Sequence, residues 1–143
     1  MGKSTLVKKL LTSEFESNYI PTLNVKIYPW NNYIIWDTVW NKTRENLKDN
    51  HYFNAQLAII MVDATSKFTS ESVKFWCKIL KRDVPDVKIG IFINKCDCEI
   101  KPETVIIAEK FASENNIPVI KYSLKNSFSA NSFRGFLLAI ART

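Results

Sequence analysis

The sequence predicts an α/β domain with a mostly parallel sheet and helices on both faces. Two observations carry this. Near-continuous apolar runs, Leu57 to Val62, Val87 to Ile93 and the shorter Val119 to Tyr122, suit strands buried on both faces of a parallel sheet. Between and after them lie segments of helical period, the order expected of right-handed crossovers. At 143 residues and 46% hydrophobic, the chain suits one domain with an ordinary core, residues 1–143.

Each element has its own signal. Leu6, Val7, Leu10 and Leu11 give a helical stripe after Gly2-Lys3-Ser4-Thr5. Val25 to Trp30 and Tyr33 to Trp36 flank Asn31-Asn32, a two-residue hairpin turn, because Asn tolerates positive φ. Ser72 to Arg82 places Val73, Trp76, Ile79 and Leu80 on one stripe. Pro102 suits the first turn of a helix that continues through Val105, Ile106 and Phe111. Ser129 to Ala141 carries Phe133, Phe136, Leu137 and Ile140.

Composition narrows the function classes. No apolar run approaches the roughly 18 residues of a membrane span, and the last residues carry no prenylation cysteine, so no membrane anchor is expected. Three cysteines, Cys77, Cys96 and Cys98, give no disulfide framework and point to a reducing compartment, cytoplasm or nucleus. The net charge of +6 permits a nucleic-acid partner, but the basic residues are scattered, and a solvated basic surface is the preferred account.

Ligands of open α/β sheets sit beyond the carboxyl ends of the strands. Polar groups fall at four such ends: Asp37, Asp63, Asn94-Lys95-Cys96-Asp97 and Ser123-Leu124-Lys125. Asp63 reads by default as a strand-capping residue. The Asn94 group is more specific. A carboxylate such as Asp97 can accept from both the N1–H and the amino group of guanine, which adenine does not offer. Gly2-Lys3-Ser4 matches the second half of a phosphate-binding loop, G-x-x-x-x-G-K-[ST].

With these motifs in order, the chain resembles a Ras-superfamily small GTPase, a P-loop NTPase G domain. Within that superfamily it is most similar to the branch of the nuclear-transport GTPase Ran, with Rab proteins next. The resemblance runs over essentially the whole chain. Its residues include Gly2-Lys3-Ser4-Thr5, Glu14-Phe15-Glu16, Tyr19-Ile20-Pro21-Thr22, Trp36-Asp37-Thr38, Ala55 to Met61, Asn94-Lys95-Cys96-Asp97 and Ser123-Leu124-Lys125.

The resemblance implies GTP or GDP with Mg²⁺ as ligands, and a set of roles. Gly2, Lys3, Ser4 and Thr5 would meet the phosphates, Lys3 reaching the β- and γ-groups. Ser4 and Thr22 would ligate Mg²⁺, and Asp37 would hold it through water. Phe15 would pack edge-on against guanine. Asn94, Lys95 and Asp97 would select the base, supported by Ser123, the backbone amide of Leu124, and Lys125. Transport receptors or other effectors would dock at the switch regions.

Departures from the pattern are equally legible. The switch II motif Asp-x-x-Gly-Gln reads Asp37-Thr38-Val39-Trp40-Asn41. Trp40 replaces a conformationally free glycine. Asn41, at the position of the catalytic glutamine, is shorter by one methylene, roughly 1.5 Å. A misplacement of about 1 Å can cost on the order of 100-fold in rate, so intrinsic hydrolysis is expected to be weak or absent. Asn24 replaces a glycine of the Ran-like branch, the following hairpin is shorter by about eight residues, and the acidic tail of that branch is missing.

The first strand and first half of the P-loop would lie upstream of Met1. That strand belongs between those ending at Asp37 and Asp63. Its loss would orphan roughly ten backbone groups at about 1–3 kcal/mol each. Losing three hydrogen bonds to phosphate would weaken binding by roughly 10³- to 10⁶-fold. A chain starting at Met1 is therefore expected to fold poorly and bind GTP weakly. Three functions follow: a GTP-binding switch, a degenerate interaction module without nucleotide, and a basic nucleic-acid binder whose affinity falls steeply with salt.

Overall fold

The computed structural model describes residues 2–16, 25–38 and 54–143. The chain divides into two compact units, Gly2–Phe53 and Asn54–Thr143.

The smaller unit contains α1 (Lys3–Thr12) and a hairpin of β1 (Lys26–Trp30) and β2 (Tyr33–Asp37). The hairpin pairs Lys26 with Asp37 and Trp30 with Tyr33, and Asn31 takes the left-handed φ of 51° that the turn needs. Alternation gives the hairpin two faces. Trp30 stacks on Tyr33 at 5.9 Å between ring centroids, and this face includes the buried Asp37. The other face presents Ile27, Pro29, Ile34 and Trp36, all exposed, with Ile34 at 70%. Helix α1 buries Leu6, Val7 and Leu10 and packs on both strands.

The larger unit is a parallel sheet in the order β3 (Leu57–Asp63), β4 (Lys88–Asn94), β5 (Val119–Lys121), with crossovers through α2 (Phe68–Asp83) and α3 (Pro102–Glu114), followed by α4 (Ala130–Ala141). The expected single sheet is, among the described residues, two sheets. Among the described residues, no strand pairs with the outer edge of β3 or of β2.

Strand β4 is central and accounts for the core. Gly90 and Phe92 face α4: a Cβ on Gly90 would lie 2.3 Å from Ile140 Cδ1 and 2.8 Å from Phe136 Cζ, so only glycine lets α4 approach so closely. Phe92 meets Tyr122, Phe128 and Phe133 at centroid distances of 6.2–6.5 Å. Ile89, Ile91 and Ile93 are buried on the opposite face, where α2 and α3, which pack on each other, contact β3 and β4.

Helix α4 buries Phe133, Phe136, Leu137 and Ile140, the four residues its periodicity predicts, and Ser129 caps it by accepting from the Ser132 amide at 3.1 Å. Helix α3 differs from expectation. Ile106 is exposed, and Thr104, Ala108 and Ala112 are buried instead. Small residues at spacing four admit close approach, and Thr104 Oγ1 satisfies itself by donating to Ser66 O at 3.1 Å. Helix α2 buries Val73, Cys77 and Ile79. Burial pushes the Cys77 thiol up to about 11 against the pull of Lys81, which makes it an inert core residue. Among the described residues, no helix is long and apolar enough to cross a membrane.

Candidate functional site

Parallel strands bring their carboxyl ends to one edge of a sheet. Here the register aligns Asp63 with Asn94 and Ile93 with Lys121, so the loops after β3, β4 and β5 emerge side by side. The β3 loop is tied to β4 by the Ala64 amide, which donates to Asn94 O at 3.0 Å. It is tied to the start of α3 by the Lys101 amide, which donates to Ala64 O at 2.7 Å.

The residues expected from the sequence to read a purine converge at this edge. Asn94 is buried, and its Oδ1 accepts the Leu124 backbone amide at 3.2 Å. That amide, which the resemblance assigns to guanine, is thus held by Asn94. Ser123 is buried and serves as a junction. Its Oγ accepts from the Asn126 amide at 3.1 Å, and its hydroxyl bonds the Asp97 carboxylate. Asp97 itself is exposed. Its pKa lies below the usual aspartate range, chiefly through the Ser123 hydroxyl, which outweighs the cost of burial, with smaller help from its own backbone amide, Lys125 and Cys98. It therefore stays an acceptor-only group at neutral pH. Lys125 is exposed beside it.

Lys95 occupies the left-handed region at φ 64°, which costs a residue with a Cβ about 1–2 kcal/mol. Its Nζ meets Asp63 Oδ2 at 2.6 Å.

Two contributors escape the sequence reading. Asp63 is read there as a strand cap; its signal is the register pairing with Asn94. Asn126, whose Nδ2 donates to Asp97 Oδ2 at 3.3 Å, stands directly after Lys125.

The smaller unit carries the residues expected to meet phosphate and Mg²⁺. Gly2 precedes α1 with φ 96°, a conformation that glycine enters without strain. It supplies no side-chain cap, and the first turn has no acidic residue, an arrangement that suits an anion at the positive end of the helix. Lys3, Ser4 and Thr5 form that first turn, all half-buried. Burial lowers the Lys3 pKa, and the Asp37 carboxylate offsets part of this.

Asp37 is 4% exposed and its Oδ1 has no hydrogen-bond partner. A buried, orphaned carboxylate oxygen is costly unless a cation or donor completes it, so Asp37 fits a hydrated Mg²⁺. Asp37 and Ser4 would hold the ion, which when bound neutralises charge on the phosphates. Phe15 follows α1 and is 37% exposed. Thr22, Asn24, Trp40 and Asn41 lie outside the described residues.

Residues 1–97 match the protein family described as Ras of Complex, Roc, domain of DAPkinase. The chain belongs to the Roc family. It is therefore a Ras-superfamily GTPase domain, and members of this superfamily bind GTP or GDP with Mg²⁺. The matched residues include Gly2-Lys3-Ser4 and Asn94-Lys95-Cys96-Asp97.

Proposed function

We propose that this Roc-family chain is a guanine-nucleotide switch with weak or absent intrinsic GTP hydrolysis, built as one G domain over residues 1–143. The observation that supports it best is the Asn94 Oδ1 to Leu124 amide bond, which locks the two base-reading loops together beside an ionised Asp97. Trp40 and Asn41 in switch II are the basis for slow turnover. The Ran-like stretches, such as Ala55 to Met61, support a role in nucleocytoplasmic or intracellular transport, in cytoplasm or nucleus. The exposed apolar face of Ile27, Pro29, Ile34 and Trp36 suits effector docking.

The test is titration of the full-length protein with a fluorescent GDP in Mg²⁺, competed by GDP, ADP and xanthosine diphosphate. GDP should displace the probe and ADP should not. In Asp97→Asn the preference should move toward xanthosine diphosphate, because a donor amide now meets a carbonyl at C2. Absence of any Mg²⁺-dependent binding sinks the proposal.

A second reading, a degenerate module that binds partners without nucleotide, draws on the Asn126 amide seated on Asp97 and on the altered switch II. It requires a partner captured equally with and without nucleotide, and unaffected by Asp97→Ala.

A further inference from the structure

The lysine of the purine-reading loop does not lie loose in solvent. Lys95 Nζ is 2.6 Å from Asp63 Oδ2, and Asp63 is buried to 7% exposure at the end of the neighbouring strand. The other carboxylate oxygen of Asp63, Oδ1, accepts from the Thr65 amide at 3.0 Å and the Thr65 hydroxyl at 2.6 Å. The carboxylate is thus fixed from one side and offers its second oxygen to Lys95. The Ala64 amide, bonded to Asn94 O, pins the same loop to the strand from which Lys95 departs. Meanwhile Lys95 sits at φ 64°, a backbone state that residues with a Cβ adopt only when the surroundings over-determine it.

We infer that Asp63 is a positioning residue for base recognition: it holds the Lys95 side chain extended, with its stem set for the face of the purine. A strand cap needs only local backbone partners, and Thr65 already supplies these. The remaining oxygen is directed to a side chain that the base-reading motif itself contributes. Because a lysine stem has four rotatable carbons, an unheld Lys95 would lose that freedom on binding, and the ion pair removes this cost beforehand. The inference rests on the guanine-binding reading above and goes beyond it by assigning Asp63 a part in affinity.

A double-mutant cycle tests it on the full-length protein, with fluorescent GDP affinity and melting temperature read for Asp63→Asn, Lys95→Met and the pair. Asp63→Asn should weaken GDP binding about tenfold, within the coupling range of contacting residues. The double variant should bind no more weakly than Lys95→Met alone. Multiplicative losses, or unchanged affinity in Asp63→Asn, overturn the inference while leaving guanine binding intact. A wild-type protein that binds no guanine nucleotide overturns both. If Asp63→Asn does not fold, Asp63→Glu serves: it keeps the charge but moves the carboxylate by one methylene. Its loss of affinity should likewise vanish in the Lys95→Met background, and an additive loss counts against the assignment.

Discussion

Asn94 and Leu124 are thirty residues apart in the chain, yet the side-chain oxygen of one accepts the backbone amide of the other at 3.2 Å. Both are buried, so water does not substitute for the bond. Asn94→Ala should leave the Leu124 amide unsatisfied, at about 1–3 kcal/mol. The expected signs are a lower melting temperature and faster hydrogen exchange at Leu124. Asn94→Asp keeps an acceptor and should retain most of the protection; equal loss in the two variants would argue against the bond as the cause.

Lys3 stands in the first turn of α1 with its ammonium disfavoured by burial and partly restored by Asp37. A bound phosphate would add further negative charge beside that of Asp37. Lys3→Met should therefore lower GDP affinity by roughly 10- to 150-fold, the value of about 1.5–3 kcal/mol for a hydrogen bond to a charged group. Guanosine, which has no phosphate, should bind the variant and the parent alike. Calorimetric titration with both ligands distinguishes this from general damage.

At Gly90 of β4, side chains of α4 fill the space that a Cβ would need. Gly90→Ala places a methyl 2.3 Å from Ile140 Cδ1, and the wholly buried Ile140 must shift to admit it. Overpacking of this kind costs about 1–3 kcal/mol. Urea unfolding should show the loss, and Gly90→Ala with Ile140→Val should recover part of it.

Asp63 makes stability depend on pH. Burial raises its pKa, but bonds from Lys95 and Thr65 outweigh that and leave it below the ordinary aspartate value. Since the folded-state value is the lower one, the contribution is fully present above about pH 3.9, the unfolded value. It is lost as pH falls through the folded value. The stability gap between the parent and Asp63→Asn should be constant from pH 5 to pH 7 and close in strong acid; a gap that widens on acidification would reverse the sign and refute the argument.

Much of this was written in the sequence. The stripe Phe133, Phe136, Leu137, Ile140 is buried as its period predicts, and Asn94 and Ser123 lie at the carboxyl ends where apolar runs stop. What the sequence hid was local conformation. Nothing in the residue type of Lys95 announces a φ of 64°, and without that turn its pairing with Asp63 is not foreseeable. Ile106 misleads for a related reason: on α3 two stripes compete, and close helix packing selects the smaller residues at Thr104, Ala108 and Ala112 over the greasier one. On α2 the apolar stripe through Trp76 passes over Cys77, which is the more deeply buried of the two.

The parallel pairing of β3 with β4 also has a consequence in time. Leu57 pairs with Lys88, 31 positions later (88 − 57), and β3 has no strand partner on its other edge among the described residues. At roughly 5–20 residues per second, a ribosome delivers β4 about 2–6 s after β3. Through that interval Leu-Ala-Ile-Ile-Met-Val is a newly made apolar strand that lacks β4, a natural substrate for chaperones that bind extended chains. Slower translation between residues 64 and 87 would lengthen the exposure, so the yield of folded protein should follow codon choice in that stretch.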